Sequence, residues 1–299
     1  MTGTGKDHGF LAALALAAGI VCIGFSAIFV RLAGVPGPVS AFYRVLIAGA
    51  VVVPWWLARS RALPNARDLR LVTLAGVFFG IDLGLWNTSI MYTSAATATL
   101  LANNSPIWVG LASFLLFRER LPWRYWLGLA VALAGMMQLV GFAAIRELRP
   151  GYGPLMAIAA SVFYAAFILT THRARGRIDL LAVTGVSTLS SVITLLVVNL
   201  ALGTTLTGYP PRAWVALAAL GLISQLGGWL AINYALGHLP AAPVSVCLLA
   251  QAVVTALLAM PILGEYMKVN QIIGGALVLA GIYLVVLRNR TVQENVAEG

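Results

Sequence analysis

Ten apolar stretches follow one another along this chain, and short polar segments separate them. A helix needs roughly 20 apolar residues to cross the hydrocarbon core of a bilayer. Since unpaired backbone groups are costly in lipid, stretches of this length predict membrane-spanning helices. We number the predicted spans 1 to 10: 10–30, 38–58, 70–91, 95–117, 123–142, 152–172, 180–202, 213–236, 241–263 and 270–288. The polar tail 289–299 is predicted to be cytoplasmic.

The composition indicates that the solvent around these spans is lipid. Of the 299 residues, 61% are hydrophobic and 9% are charged, whereas a soluble domain carries about 25% charged residues. The net charge of +10 would suggest nucleic acid in a soluble protein. Here the basic residues lie in short loops, where they set orientation and meet anionic headgroups. The expected partners are therefore the lipid bilayer and a small-molecule substrate, with no nucleic acid.

The chain contains the same pattern twice, offset by 146 residues. The matched positions are Asn87 and Asn233, Ala95-Ala96 and Ala241-Ala242, Glu119 and Glu265, Gly128 and Gly274, and Gly135 and Gly281. The repeat divides the chain into residues 1–150, with spans 1–5, and residues 151–288, with spans 6–10. An internal repeat of this kind is typical of secondary transporters.

Loop charges predict how the two halves cross the membrane. With the N-terminus in the cytoplasm, 13 of the 19 Lys and Arg residues lie in inside segments and five lie in outside segments. Five spans are an odd number, so the second half crosses in the opposite sense to the first. The loop after span 4 is accordingly basic, while its mate after span 9 has only Lys268. We predict an all-α integral membrane protein of ten transmembrane helices in two inverted five-helix repeats, with both termini cytoplasmic.

These features resemble the EamA branch of the drug/metabolite transporter (DMT) superfamily. The resemblance rests on Arg44 early in span 2, the Ala-Ala openings of spans 4 and 9, Pro106 in span 4, Glu119 and Glu265, and the glycines of spans 5 and 10. It implies a bacterial inner-membrane transporter, usually an exporter of small metabolites, whose cavity lies among spans 1, 3, 4, 6, 8 and 9. Within the branch, the chain is most similar to bacterial YddG-type exporters of aromatic amino acids.

Asp82 is the first candidate site residue, because it alone of the nine acidic residues lies in the middle of a span. A charge at this depth costs at least about 2.5–3.5 kcal/mol on insertion scales, and such residues usually face a cavity or a partner. Asp82 is therefore either a proton-coupling site or an anchor for a substrate ammonium. The structural alternative is a buried charge pair with Arg44, which lies at a similar predicted depth.

Span 4 contains the polar run Asn103, Asn104 and Ser105 directly before Pro106. Pro106 has no N–H to donate to the carbonyl of Ala102, so the helix is expected to bend there. The polar run predicts a bend that lines the substrate cavity, or a packing bend whose amides bridge neighbouring helices. The matched run in span 9 has Gln251 but no proline. Pro106, Gly227 and Gly228 are candidate hinges.

Aromatic and amide side chains complete the predicted cavity. Aromatic walls suit an apolar or aromatic substrate, although aromatic residues also anchor helices at membrane interfaces. The aromatic candidates are Trp86, Tyr92, Trp108, Tyr164 and Trp229, and Tyr92 lies near the end of its span. The amide candidates are Asn87, Gln225, Asn233 and Gln251, and such amides also bind helix to helix. By position, Trp56 and Tyr125 are predicted interface residues outside the site.

The sequence contains none of the motifs for catalytic metal binding, nucleophilic catalysis or phosphate binding, and its three histidines lie near span ends. We therefore expect no enzyme activity, no cofactor and no metal site. The predicted function is export by alternating access of amino acids with aromatic or apolar side chains, by a monomer or homodimer. The alternative is export of other small organic solutes or amphiphilic drugs, and a remote alternative is a membrane-embedded enzyme or scaffold.

Overall fold

The computed structural model describes residues 4–59, 64–141, 151–264 and 266–297, and within these ranges all regular structure is helical. Glu265 and the loop arginines at 61, 146 and 149 lie outside the described residues. The helices are Thr4–Gly24 and Ser26–Ala33 (span 1), Gly37–Arg59 (span 2), Ala66–Ser89 (span 3), Ala95–Ala102 and Ser105–Phe117 (span 4), Trp123–Val140 (span 5), Tyr152–Arg175 (span 6), Leu180–Ala201 (span 7), Pro211–Ala219, Leu220–Gly228 and Trp229–Leu236 (span 8), Ala241–Cys247 and Ala250–Leu263 (span 9), and Val269–Ala297 (span 10).

In the described part of the chain, nine helical stretches are long and apolar enough to cross a membrane. The remaining predicted span is the 18-residue helix Trp123–Val140, whose first turn holds Trp123, Arg124 and Trp126 and is less apolar than the rest. The all-helical membrane fold is thus confirmed. Span 10 continues as a helix to Ala297, beyond its predicted end, so most of the predicted tail is helical.

Glycines fix the contact between spans 5 and 10. A Cβ atom on Gly281 would lie 2.5 Å from the Ala132 nitrogen and 2.5 Å from the Gly128 oxygen. A Cβ atom on Gly274 would lie 2.5 Å from the Leu139 nitrogen. The two backbones can approach this closely only because these positions lack side chains.

Several other spans pack across the boundary between the two halves of the chain. Span 3 lies against spans 6 and 7, span 8 lies against spans 1 and 2, and span 2 lies against span 7. Ser191 on span 7 donates a hydrogen bond to the Gly76 carbonyl of span 3 at 2.7 Å, which ties two of these helices across their close contact. The inverted relation of the halves stays a prediction.

In the part of the chain that the structure describes, three spans are interrupted, and a fourth changes helix type. Span 1 breaks at Phe25, span 4 at Asn103-Asn104 and span 9 at Leu248-Leu249. Side chains of neighbouring spans bind carbonyls at the first break: Ser224 donates to the Cys22 oxygen and Thr255 to the Gly24 oxygen. In span 8, Leu220–Gly228 forms a π-helix, a rare geometry that is frequent at functional sites.

Two predicted interface residues lie in the interior. Tyr125 is 3% exposed and donates a hydrogen bond to the Pro106 carbonyl at 3.0 Å. Trp56 is 5% exposed and packs over Gly185, where a Cβ atom would meet its ring at 3.2 Å. Position near a span end was therefore misleading for both residues, because each one faces a neighbouring span.

Candidate functional site

A buried guanidinium lies where spans 2 and 8 meet. Arg44 is 7% exposed, and its Nε donates a hydrogen bond of 2.9 Å to Oε1 of Gln225. Gln225 belongs to the π-helical part of span 8 and is itself 4% exposed. The bond uses one of the five N–H donors of the arginine, so the guanidinium keeps donors for a second partner.

Asp82 lies near this guanidinium but does not form the direct ion pair that the sequence allowed. It is 8% exposed on span 3, and among the described residues no Arg44 nitrogen lies within 4.0 Å of its carboxylate. The two charges nevertheless interact electrostatically, and Tyr164 on span 6 interacts with both. The two opposite charges are thus close enough to attract each other while a gap separates them.

An aromatic cluster from spans 3, 6 and 8 lies beside these charges. The Trp229 ring meets Phe79 and Phe167 edge to face, with centroids 4.8 and 4.9 Å away, and Tyr164 at 6.0 Å. The Trp229 Nε1 is buried and has no hydrogen-bond partner among the described residues. Such an orphan donor is costly in an apolar interior unless a ligand or water meets it.

Sequence reasoning missed Phe79 and Phe167, which are ordinary apolar residues of their spans by composition. The structure places them at the site, because the two rings lie 4.6 Å apart and both face Trp229. The π-helix that carries Gln225 was also missed. No hydrogen-bonding or periodicity rule applied to the sequence distinguishes it from an α-helix.

The asparagines of the polar run in span 4 donate hydrogen bonds to backbone carbonyls just before the break in that span. The Asn103 amide donates to the Thr99 carbonyl at 2.8 Å, and the Asn104 amide donates to the Leu100 and Leu101 carbonyls at 3.1 and 3.0 Å. Pro106 is the second residue of the following helix, where a missing N–H is tolerated. The amide donors therefore satisfy backbone groups of their own span, while the side-chain oxygens remain as acceptors. Ser105 is buried, at 2% exposure.

Trp108 joins span 4 to span 6. Its Nε1 donates to Oγ of Ser161 at 2.8 Å, and that hydroxyl donates in turn to the Ile158 carbonyl at 2.7 Å. Trp86 on span 3 is partly exposed.

The side chains of the two repeat-related asparagines are both hydrogen-bonded. Asn87 is 4% exposed and donates to the Leu83 carbonyl at 2.7 Å. Asn233 donates to Oγ1 of Thr184 at 3.1 Å, and its backbone oxygen accepts from Arg175 Nε at 3.0 Å. Tyr92 is 61% exposed in the turn after span 3, away from the buried charges.

Spans 4 and 9 pack against each other at one end. Ser105–Phe117 of span 4 packs against Ala241–Cys247 of span 9. At the other end, Ala95–Ala102 packs on spans 3, 5 and 6, while Ala250–Leu263 packs on spans 1, 5 and 10. The two spans therefore diverge toward the end that is predicted to lie outside. Gln251, partly exposed, lies just after the break of span 9.

The two candidate hinge glycines in span 8 differ in their surroundings. A Cβ atom on Gly228 would lie 2.9 Å from the Ile23 side chain of span 1, so this glycine serves close packing. At Gly227 the nearest atom would be the Leu222 carbonyl oxygen at 3.5 Å, which is an ordinary contact. Of the two glycines, Gly227 alone therefore has room for a side chain.

The structure thus brings together five predicted site residues, namely Arg44, Asp82, Tyr164, Gln225 and Trp229. The polar run of span 4 and Trp108 are tied to backbone or to span 6, and Tyr92 lies apart. In the described ranges, no three His, Cys, Asp or Glu side chains are grouped to hold a metal ion.

Comparison with known proteins gives the family and the fold. The model of the EamA-like transporter family matches residues 10–141 and again residues 151–287. A solved crystal structure superposes with a TM-score of 0.78 at 23% identity, covering 92% of this chain and 97% of that chain. The uncharacterized transporter YdfC of Bacillus subtilis strain 168 is 21% identical over 83% of this chain and 81% of its own length. A probable terminal-alkyne amino-acid exporter of Streptantibioticus cattleyicolor is 26% identical over 74% of each chain.

Proposed function

Because the chain belongs to the EamA-like transporter family, we propose that it is a secondary transporter that exports amino acids with aromatic or apolar side chains by alternating access. The proposal places it in a bacterial inner membrane with both termini in the cytoplasm. It involves no chemical conversion of the substrate, in keeping with relatives that are named transporters.

One observation carries the substrate class: two separated opposite charges lie beside an aromatic cluster in the buried centre. The remaining guanidinium donors of Arg44 suit a carboxylate, and the carboxylate of Asp82 suits an ammonium group. The faces and edges of Tyr164 and Trp229 suit an apolar or aromatic side chain. An α-amino acid carries these three groups around one carbon atom, and the relative named as a probable terminal-alkyne amino-acid exporter supports this reading.

The same geometry supports the finer resemblance to YddG-type exporters of aromatic amino acids. The three rings around Trp229 favour a flat apolar side chain over a polar one. The divergence of spans 4 and 9 toward the predicted outside supports an outward-open conformation, from which the substrate is released.

Flux in proteoliposomes tests this function. Labelled phenylalanine, tryptophan and threonine and a cationic dye are offered with and without a pH gradient, to the wild type, Asp82→Asn and the control Glu119→Gln. Glu119 is an exposed carboxylate beyond the end of span 4. We expect phenylalanine and tryptophan to move faster than threonine, and the control to match the wild type.

The outcomes separate the alternatives. Flux that needs the gradient and is lost in Asp82→Asn identifies Asp82 as the coupling residue. Flux without a gradient that survives in Asp82→Asn shows facilitated transport and a structural carboxylate. Dye flux without amino-acid flux, in protein that is folded, refutes the proposed substrate class and favours the drug-exporter alternative.

A further inference from the structure

A crevice lined by four arginines lies where the start of span 3 meets the end of span 6. Its volume is about 510 Å³. The lining residues are Ala66, Arg67, Asp68, Arg70, Leu71, Leu74, Arg173 and Arg177. This crevice is remote from the central charges, and it plays no part in the proposed transport site.

The arginines come from two helices that are far apart in sequence. Arg67 and Arg70 are three residues apart on span 3, so they share one face of that helix with Leu71 and Leu74. Arg173 and Arg177 come from the last turn of span 6 and the turn that follows it. Orientation by positive charge requires only that arginines lie on one side of the membrane. It does not require them to converge on one concave surface.

The positive charge of the crevice is only partly balanced within it. Among its described lining residues, Asp68 is the single acidic one, and one oxygen of that carboxylate accepts a 2.9 Å hydrogen bond from the Asn65 amide. Even without Arg173, the guanidinium groups of Arg67, Arg70 and Arg177 outnumber this one carboxylate, so the described lining carries an excess of positive charge. Arginine is the side chain best suited to bind phosphate oxygens, because its planar fork donates two parallel hydrogen bonds.

The wall of the crevice changes from charged to apolar along span 3. Arg67 and Arg70 lie in the first turns of the helix, and Leu74 follows one turn later with 47% of its surface exposed. A soluble phosphate would meet only the charged end, whereas a phospholipid would place its phosphate there and its acyl chains along the leucines. Basic pockets between membrane helices bind anionic headgroups in this way.

We propose that this crevice binds the phosphate headgroup of an anionic phospholipid, with the acyl chains lying along Leu71 and Leu74. The bound lipid bridges the ends of spans 3 and 6, which also carry Asp82 and Tyr164 at their middles. Anionic lipid therefore stabilises the contact between two helices that form the central site.

Lipid-dependent stability of the delipidated, full-length protein tests the proposal. Thermal unfolding is followed during titration with phosphatidylglycerol or cardiolipin, with phosphatidylcholine, and with inorganic phosphate. The test variant is Arg67→Gln/Arg70→Gln/Arg177→Gln. The control Arg118→Gln/Arg120→Gln/Arg124→Gln removes the same charge from the loop after span 4 and the first turn of span 5, which are outside the crevice.

We expect anionic lipid, and neither phosphatidylcholine nor inorganic phosphate, to raise the unfolding temperature of the wild type and of the control. The crevice variant should bind anionic lipid roughly 100-fold more weakly, from about fivefold for each arginine lost. Equal lipid affinity in the crevice variant and the control overturns the proposal. A shift by inorganic phosphate as large as that by lipid also overturns it, and assigns the crevice to a free anion.

A second pair of variants keeps the test decisive if the triple variant unfolds. Arg67→Lys/Arg70→Lys retains the charge but loses the planar fork, so it should weaken lipid binding by less than the triple variant. Leu74→Asn alters only the apolar wall, and should weaken lipid binding without changing any response to inorganic phosphate. Unchanged lipid affinity in both of these variants refutes the lipid site.

Discussion

Adjacent glycines on span 10 allow a stringent test of the contact between spans 5 and 10. Gly274→Ala adds a methyl group 2.5 Å from the Leu139 nitrogen and 2.8 Å from the Gly135 oxygen. Both of these atoms belong to backbone, so the helices must move apart, and overpacking of this kind costs about 1–3 kcal/mol. Gly275→Ala adds its methyl group 3.5 Å from the Val253 side chain, which is an ordinary contact.

The same glycine-to-alanine change should therefore have opposite effects on the free energy of unfolding at the two positions. An alanine inside a helix is about 0.5–1 kcal/mol more stable than a glycine, so Gly275→Ala should stabilise the protein slightly. The difference of roughly 2 kcal/mol or more between the two variants corresponds to about a 30-fold change in the unfolding equilibrium.

Unfolding of both variants in mixed micelles, by titration with a denaturing detergent, gives this difference as a free energy of unfolding. Gly281→Ala, whose added methyl would lie 2.5 Å from the Ala132 nitrogen, should behave like Gly274→Ala. Equal stability of Gly274→Ala and Gly275→Ala would refute the close helix contact on which the argument rests.

Three further tests concern two interhelical hydrogen bonds and the role of Pro106. Gln225→Leu removes the acceptor of the Arg44 Nε bond and should lower the free energy of unfolding by about 1.5–3 kcal/mol, whereas Gln225→Glu keeps an acceptor and should lower it less, as denaturing titration would show. A double-mutant cycle of Trp108→Phe and Ser161→Ala should give a coupling energy of about 0.6 kcal/mol, since interhelical hydrogen bonds in membranes are individually modest, and a coupling of zero contradicts the contact. Pro106→Ala should leave the unfolding temperature nearly unchanged, because the proline occupies a helix start, and a large change would show that it enforces the break.

Much of the fold was predictable because lipid imposes strict rules on sequence. Apolar stretches of fixed length predict the spans, and the structure confirms an all-helical membrane protein. Span ends were less predictable, as span 10 and the exposed Tyr92 show. An end depends on capping and on contacts with neighbouring spans, which hydropathy does not record.

The charged residues at the centre of the site could be predicted, because charged side chains are costly in lipid. Arg44 and Asp82 stand out in the sequence because buried charge requires a reason. Their separation and the choice of Gln225 as the partner of Arg44 depend on how spans 2, 3 and 8 cross, which the sequence leaves open. Phe79 was missed for the opposite reason, because an apolar residue in a span needs no explanation.

The repeat also explains why the proposed site is asymmetric even though the two halves share one pattern. The offset of 146 residues pairs Arg44 with Ser190 and Asp82 with Gly228. Gly228 packs so closely on span 1 that a side chain would meet Ile23 at 2.9 Å, so this position has no space for a carboxylate. The charges therefore come from the first half alone, while the second half contributes aromatic and amide groups. A substrate that is charged at one end and apolar at the other would be held in one orientation by such a site, and this favours an amino acid over a symmetric cation.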